Sequence, residues 1–522
     1  LRIEQEFKRM PDSTWVLANE NTYVNFYIVK GAQQLYAHQL RNFDKYQFDV
    51  QNADSIFGLL GPIHELPEAT AQTDTFWIHN RHVPLKEKES ALDDLLAQLR
   101  KVPAFNVIIK TAEILITGYI PTTADKDKSK FDFGPMNTTF SANHLEGFRM
   151  RVGGMTTANL NPHWFGSGYL AYGVNDRKLK YNAKLTYSVN KKKYHEGESP
   201  VNNISAIQEY DVYTPGQDFL FTSKDNMFVA WKVGEPVTMM QYIRKTMLQY
   251  QKEWLNGLTL TTWARNENNE AAGTLRYDRY DADGTLTNLK SFTNTELGTQ
   301  LRFAPGERAY NGREGKNSLF NLSKDAPVFK LSHQMGLKNV LGSDFNYNHT
   351  EISAEKRIWL SSFGHIDALV TAGKVWDKVP FPLLIMPNTN QSITIQPQAF
   401  NMMRALEFVS DQYVSFYFTY YMKGWILNRI PGVKWLRLRE VISFSGFYGG
   451  LTDKNNPALD PTGLYRFPEG TSPMGRTPYL EASVGLENIF KILRIDYYRR
   501  LTYLDQPNIK KGGVRIALRF SF

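Results

Sequence analysis

Hydrophobic and polar positions alternate with period two over much of this chain. At the C-terminus Val514, Ile516, Leu518, Phe520 and Phe522 alternate with Arg515, Ala517, Arg519 and Ser521. Upstream, Leu493, Ile495, Tyr497, Leu501 and Tyr503 alternate with Arg494, Asp496, Tyr498, Arg500 and Thr502, and Arg499 is the one break on the apolar side. Leu480, Ala482, Val484 and Leu486 alternate with Glu481, Ser483, Gly485 and Glu487. Val414, Phe416, Phe418, Tyr420 and Met422 alternate with Tyr413, Ser415, Tyr417, Thr419 and Tyr421. The pattern recurs from Lys180 to Val189, and Phe148, Met150 and Val152 flank Arg149 and Arg151. Successive side chains of a strand point to opposite faces, so each segment predicts a strand with one apolar face.

Alternation of this kind also suits a soluble sandwich, which is apolar inside and wet outside. Three features favour an all-β, transmembrane antiparallel barrel instead. Tyr and Trp recur near strand ends, as an interfacial girdle requires. The polar faces carry both signs of charge at Arg149, Arg151, Arg437, Arg439, Glu440, Glu481, Glu487, Arg494, Asp496, Arg500, Arg515 and Arg519. Charges at that density cannot face lipid, so they are expected to point into a lumen and pair there, the arginines with Glu440, Glu481, Glu487 and Asp496. Finally, the last predicted strand ends on an aromatic residue, Phe522, as outer-membrane barrels do. That strand is expected to close against Gly147 to Gly153, or against Ile114 to Ile120.

Composition narrows the choice. Of 522 residues, 13% are aromatic, 42% hydrophobic and 22% charged, which excludes a disordered chain. No window approaches 18 uninterrupted apolar residues, so a membrane-spanning helix is excluded, although this leaves a barrel open. There is no cysteine, hence no disulfide scaffold, thiolate metal site or Cys nucleophile. Leu1 does not open a basic and apolar leader, so a signal peptide is expected to have been removed.

The alternation also sets the expected organisation. Residues 1–136 read as a small mixed region, with strands at 14–29 and 43–50. An amphipathic helix over 86–99 is marked by Leu92, Leu95, Leu96 and Leu99. A charged linker follows at 125–130. Residues 137–522 then accommodate about 16 strands, with 14 as the nearest alternative. Stretches 191–257, with a helix from Val237 to Trp254, and 305–325 alternate poorly and are expected as long extracellular loops. The Pro-rich stretch 377–411 is a third long loop.

Ordered motifs then carry a resemblance. Gly118-Tyr119-Ile120-Pro121, Phe131-Asp132-Phe133-Gly134-Pro135, Leu145-Glu146-Gly147-Phe148-Arg149-Met150-Arg151-Val152-Gly153-Gly154 and Gly168-Tyr169-Leu170-Ala171-Tyr172-Gly173 occur in sequence. Asn428-Arg429-Ile430-Pro431, Leu436-Arg437-Leu438-Arg439-Glu440 and Leu486-Glu487-Asn488-Ile489-Phe490-Lys491 follow. From about residue 70 onward the chain resembles a family of Bacteroidota envelope proteins of unknown function. Its members usually carry a carboxypeptidase-regulatory-like domain first. The resemblance implies an outer-membrane barrel distantly similar to the BamA/TamA assembly factors, with residues 1–136 periplasmic. It also implies that a sandwich domain lies upstream, with at most its downstream edge near Leu1.

Candidate catalysis is sparse. The closest histidines, His79 and His82, have no carboxylate at metal-ligand spacing, and no His-Glu-x-x-His or Gly-x-Ser-x-Gly is present. The net charge of +9 and Lys191-Lys192-Lys193 come without a nucleic-acid module, and such lysines suit lipopolysaccharide phosphates equally. The expectation is therefore a non-enzymatic accessory or scaffold subunit of an outer-membrane assembly or export complex, with no cofactor and no metal. Its expected partners are outer-membrane lipid and lipopolysaccharide, together with other outer-membrane proteins or lipoproteins, BamA-type machinery among them. The alternatives are a channel, or a lumenal hydrolase using Glu481, Glu487 and Asp496.

Overall fold

The structure, a computed structural model, describes residues 2–26, 35–48, 51, 73–80 and most of 102–519. Segments 27–34, 49–50, 52–72, 81–101, 221–222, 234–235, 308–324 and 520–522, with scattered positions from 104 to 127 and position 508, lie outside that description. The expected helix over 86–99 and the aromatic end at Phe520 and Phe522 fall among them. The chain divides into two units, Leu1–Lys110 and Thr111–Phe522.

The first unit holds an antiparallel sheet of β1 (Arg2–Arg9), β2 (Trp15–Phe26) and β3 (Leu35–Asn42), with a bulge between Glu6 and Phe7. A short helix covers Asp74–Asn80. The strand expected over 43–50 lies earlier, at β3, because the polar run from Tyr36 to Asn42 finds its ladder partner in β2. Residues 43–48 are irregular.

The second unit is built on one large antiparallel sheet. It begins with short strands β4 (Ile120–Pro121), β5 (Phe131–Phe133) and β6 (Phe140–Asn143). Long strands follow: β7 (Gly147–Thr156), β8 (Trp164–Gly173), β9 (Leu179–Ser188), β10 (Asn202–Tyr213), β11 (Met239–Glu253) and β12 (Leu258–Gly273). After a small hairpin, β13 (Tyr277–Tyr280) and β14 (Leu286–Leu289), come β15 (Ser291–Phe303), β16 (Val328–Gly336), β17 (Tyr347–Trp359) and β18 (His365–Val375). A parallel pair, β19 (Phe408–Val409) and β22 (Ser472–Pro473), brackets β20 (Gln412–Tyr421) and β21 (Arg439–Gly450). The sheet ends with β23 (Tyr479–Ile489), β24 (Leu493–Arg500) and β25 (Gly512–Leu518). From β7 to β25 each long strand pairs with the next long strand in sequence. Because β4 and β5 belong to this sheet, the boundary between the units falls at 110, earlier than the expected 136.

Two expectations between 191 and 257 are corrected. That stretch contains β10 and β11 rather than one loop, and Val237 to Trp254 is largely strand rather than helix. Its Met, Leu, Gln, Lys and Arg residues are good helix formers, but ladders to β10 on one side and β12 on the other override that preference. Antiparallel order also decides where the connections lie. Those at 254–257, 360–364 and 490–492 are short and share one end of the sheet with 189–201 and the link from β15 to β16. Connections 214–238, 274–290, 376–411 and 451–478 are at the other end. The long stretches expected together on one side are therefore split between two.

The burial pattern is inverted relative to a soluble sheet. In the register across β20, β21, β23, β24 and β25, Tyr420, Ile442, Val484, Tyr497 and Val514 form one outward row. Val484 is 66% exposed and Leu518 62%, whereas Arg494, Asp496, Arg500 and Arg515 on the inner face are buried. The connections at the second end fold inward over a core of their own. Leu275, Tyr277, Val379, Phe381, Leu406, Val409 and Tyr465 bury one another against Phe292, Tyr347 and Val375 of the sheet. Buried Asn455 ties two of these connections, donating to Asp411 at 2.9 Å and accepting from the Val379 N–H at 2.8 Å.

Candidate functional site: a charged inner face that grips the connections

Period-two geometry explains how charges come to be buried here. On β24 Leu493, Ile495, Tyr497 and Arg499 point out, so Arg494, Asp496, Tyr498 and Arg500 must point in. A buried ionised group is tolerated only when paired and hydrogen-bonded. Two inner-face clusters supply that pairing.

The first is centred on Arg149 of β7, which has no exposed surface. Its Nη1 donates to Glu146 at 2.9 Å and Asp211 at 2.7 Å, and its Nη2 to Asp211 at 3.0 Å and Asp225 at 3.2 Å. Asp211 is on β10, Glu146 in the turn before β7, and Asp225 in the 214–238 connection. Arg151, two residues along on the same face, binds Asp225 at 2.7 Å and lies 3.7 Å above the Tyr169 ring. Lys180 reaches Glu146 at 2.7 Å and also pairs with Asp176, and Lys224 reaches Asp211 at 2.9 Å. The cluster thus joins β7, β8, β9 and β10 to the turns that hold Glu146 and Asp176 and to the 214–238 connection.

The second cluster grips residues 401–407. Buried Glu481 of β23 accepts from the backbone N–H groups of Asn401 and Met402, both at 2.9 Å, and from the Tyr479 hydroxyl at 3.0 Å. Arg500 of β24 meets Glu407 in a two-pronged pair at 2.6 and 3.0 Å, with both side chains fully buried. Arg515 of β25 donates to the Asn401 carbonyl at 2.6 Å. Three neighbouring strands therefore hold one connection by its backbone and one carboxylate.

The expected inner network is only partly of the expected kind. Arg494 and Asp496 do pair, at 2.9 and 2.6 Å, and Arg494 also donates to the Tyr421 hydroxyl. Arg519 lies 3.6 Å from Glu487. Glu440 pairs with no arginine among the described residues. It accepts instead from the N–H groups of Ile426 and Leu427, satisfying a 3-10 turn. Arg437 is exposed, in a left-handed turn before β21, because the strand begins only at Arg439. Arg439 stands opposite Glu487 in the register but makes no ion pair among the described residues.

The carboxylates that satisfy Arg149 and Arg500 were missed in the sequence. Asp211 lay in a stretch read as loop, and Glu407 follows a Pro-rich run with no period to place it. Among the described residues no group of three or more His, Asp or Glu gathers as a metal site.

Behind the first cluster a cavity of about 710 Å³ opens between the β6–β7 turn and the 214–238 connection. Four ionisable groups of that connection line it, Asp218, Lys224, Asp225 and Lys232. Lys224 and Asp225 pair with members of the first cluster, whereas Asp218 and Lys232 are exposed.

A nearly all-β chain with one large antiparallel sheet, apolar outside and charged within, is the class this geometry defines. The chain belongs to the family of unknown function DUF5686, whose C-terminal domain it matches over residues 112–455. No curated protein matches the sequence. Among solved structures, BamA from Haemophilus ducreyi lacking POTRA domains 1–3 is similar at 10% identity and a TM-score of 0.46, over 79% of this chain and 78% of that one. CdiB from Escherichia coli is similar at 11% identity and a TM-score of 0.38, over 71% of this chain and 59% of that one. CdiB from Acinetobacter baumannii gives 12% identity and a TM-score of 0.35, over 72% and 57%. The chain thus spans under two thirds of the length of either CdiB.

Proposed function

We propose that this protein is a non-enzymatic β-barrel of about 16 strands in the outer membrane, with its lumen filled by its own connections. We assign it an accessory or scaffold role in an outer-membrane protein assembly or export complex. The inverted burial carries the reading. Val414, Ile442, Val484, Val514 and Leu518 are among many large apolar side chains left exposed, while arginines behind them are fully buried. In water each such side chain would forgo about 1.5–3 kcal/mol of burial, and the contiguous apolar surface would far exceed what a soluble monomer shows. Hydrocarbon removes that cost.

The end bearing 214–238, 274–290, 376–411 and 451–478 faces outward in this reading, since extracellular loops are the long ones. The short turns at 254–257, 360–364 and 490–492 then face the periplasm. A lumen crossed by the Arg500–Glu407 pair and the Glu481–Asn401 contacts is poorly suited to conduction and well suited to a rigid platform. The test has three parts. The unboiled protein should migrate faster than the boiled protein on a denaturing gel. Planar bilayers should show no steady conductance. Gentle detergent extraction should recover the chain together with an outer-membrane protein or lipoprotein. A large steady conductance, or a chain recovered only as a lone monomer, would overturn the scaffold role.

A further inference from the structure

At its middle, the free edge of β25 is taken up by a connection and not by a strand. The Ile516 N–H donates to the Ile393 carbonyl at 2.9 Å, and the Ile395 N–H donates to the Ile516 carbonyl at 2.8 Å. That segment is bonded in turn to the 214–238 connection, with Ile393 N–H to Trp231 carbonyl at 2.7 Å and Val233 N–H to Gln391 carbonyl at 3.0 Å. On its far side the 214–238 connection reaches the first strands, where the Met227 N–H donates to the Asn137 carbonyl at 2.9 Å. Backbone hydrogen bonds of the 376–411 and 214–238 connections thus bridge from the middle of β25 to the residues between β5 and β6. Leu220, Met227, Phe228 and Trp231 of the 214–238 connection are exposed, Trp231 by 69%, as are Met136 and Phe140 on either side of Asn137.

The same connection walls the 710 Å³ cavity. Its apolar lining includes Val212, Phe219, Leu220, Ala230, Val237 and Met240. Most charged groups there are already neutralised. Arg151 pairs with Asp225, Lys224 with Asp211, and Glu146 with Arg149 and Lys180. Lys232 has no carboxylate within 4 Å among the described residues, and its ammonium lies 5.6 Å from the centre of the Phe219 ring. Asp218 and Lys232 are the two charged groups of the lining that make no ion pair among the described residues, and a cation so placed beside an apolar wall has the chemistry to take the anionic end of an amphiphile.

We propose that this cavity binds an amphiphile with an anionic headgroup, the carboxylate or phosphate on Lys232 and the hydrocarbon against Phe219, Leu220 and Ala230.

The proposal rests on the membrane reading, and its test separates the two. Full-length protein, delipidated in detergent, is mixed with dimyristoylphosphatidylglycerol, dimyristoylphosphatidylcholine or inorganic phosphate, and adducts are counted by native mass spectrometry. The anionic lipid should bind, and Lys232→Glu should weaken it by about tenfold or more, equivalent to about 1.4 kcal/mol. Ala230→Trp, which fills the apolar wall, should weaken it as well. Inorganic phosphate should compete poorly. Equal binding of the two lipids, indifference to both substitutions, or full competition by phosphate would overturn the proposal. The gel-shift of the unboiled variants reports the fold independently. A variant that keeps its shift while the wild-type protein shows no adduct overturns the ligand and leaves the barrel standing.

Discussion

Glu481 and Arg500 face each other in the register of β23 and β24, yet neither is the other's ion-pair partner. Glu481 holds the N–H groups of Asn401 and Met402, and Arg500 holds Glu407. Side by side on the wall, the two clamp opposite ends of one short segment of the 376–411 connection.

Removing one half of a buried pair leaves the other charge stranded. Arg500→Ala should cost about 3–5 kcal/mol, and Glu407→Ala should cost a similar amount. The double variant should cost clearly less than the sum, because no charge remains uncompensated. Urea titration of the gel-shift measures this, and additive losses would show that the pair is not coupled.

Loosening that clamp should also alter the lumen. Glu481→Ala leaves the Asn401 and Met402 N–H groups unsatisfied, at about 1–3 kcal/mol each. Combined with Arg500→Ala it should release 401–407 and raise single-channel conductance above the silent wild-type level. A double variant as silent as the wild type would place the obstruction elsewhere in the lumen.

Register on β25 is open to a direct check. Arg515 is buried and Leu518 exposed, so spin labels at 518 should contact lipid and labels at 515 should not. Leu518→Arg should cost about 2–4 kcal/mol if the position lies near the bilayer midplane, and less towards an interface.

The alternation of β7, β9, β20, β23, β24 and β25 was legible in the sequence, and with it which side chains share a face. Period two is a local property of extended backbone, so residues a few positions apart suffice to reveal it. Which charges share the face opposite the apolar one was equally legible, and Arg149, Arg494, Asp496, Arg500 and Arg515 are buried on it. The sequence could not reveal the partners of Arg149 and Arg500. Asp211 is 62 positions from Arg149, and Glu407 is 93 from Arg500. Glu407 lies in a connection with no period to betray its direction. The β11 strand was hidden for a related reason, since its helix-favouring residues become strand only when β10 and β12 offer ladders on both edges. Periodicity therefore settled the faces, while the partners, the bonded edge at Ile516 and the cavity behind it were decided by contacts between segments far apart in the chain.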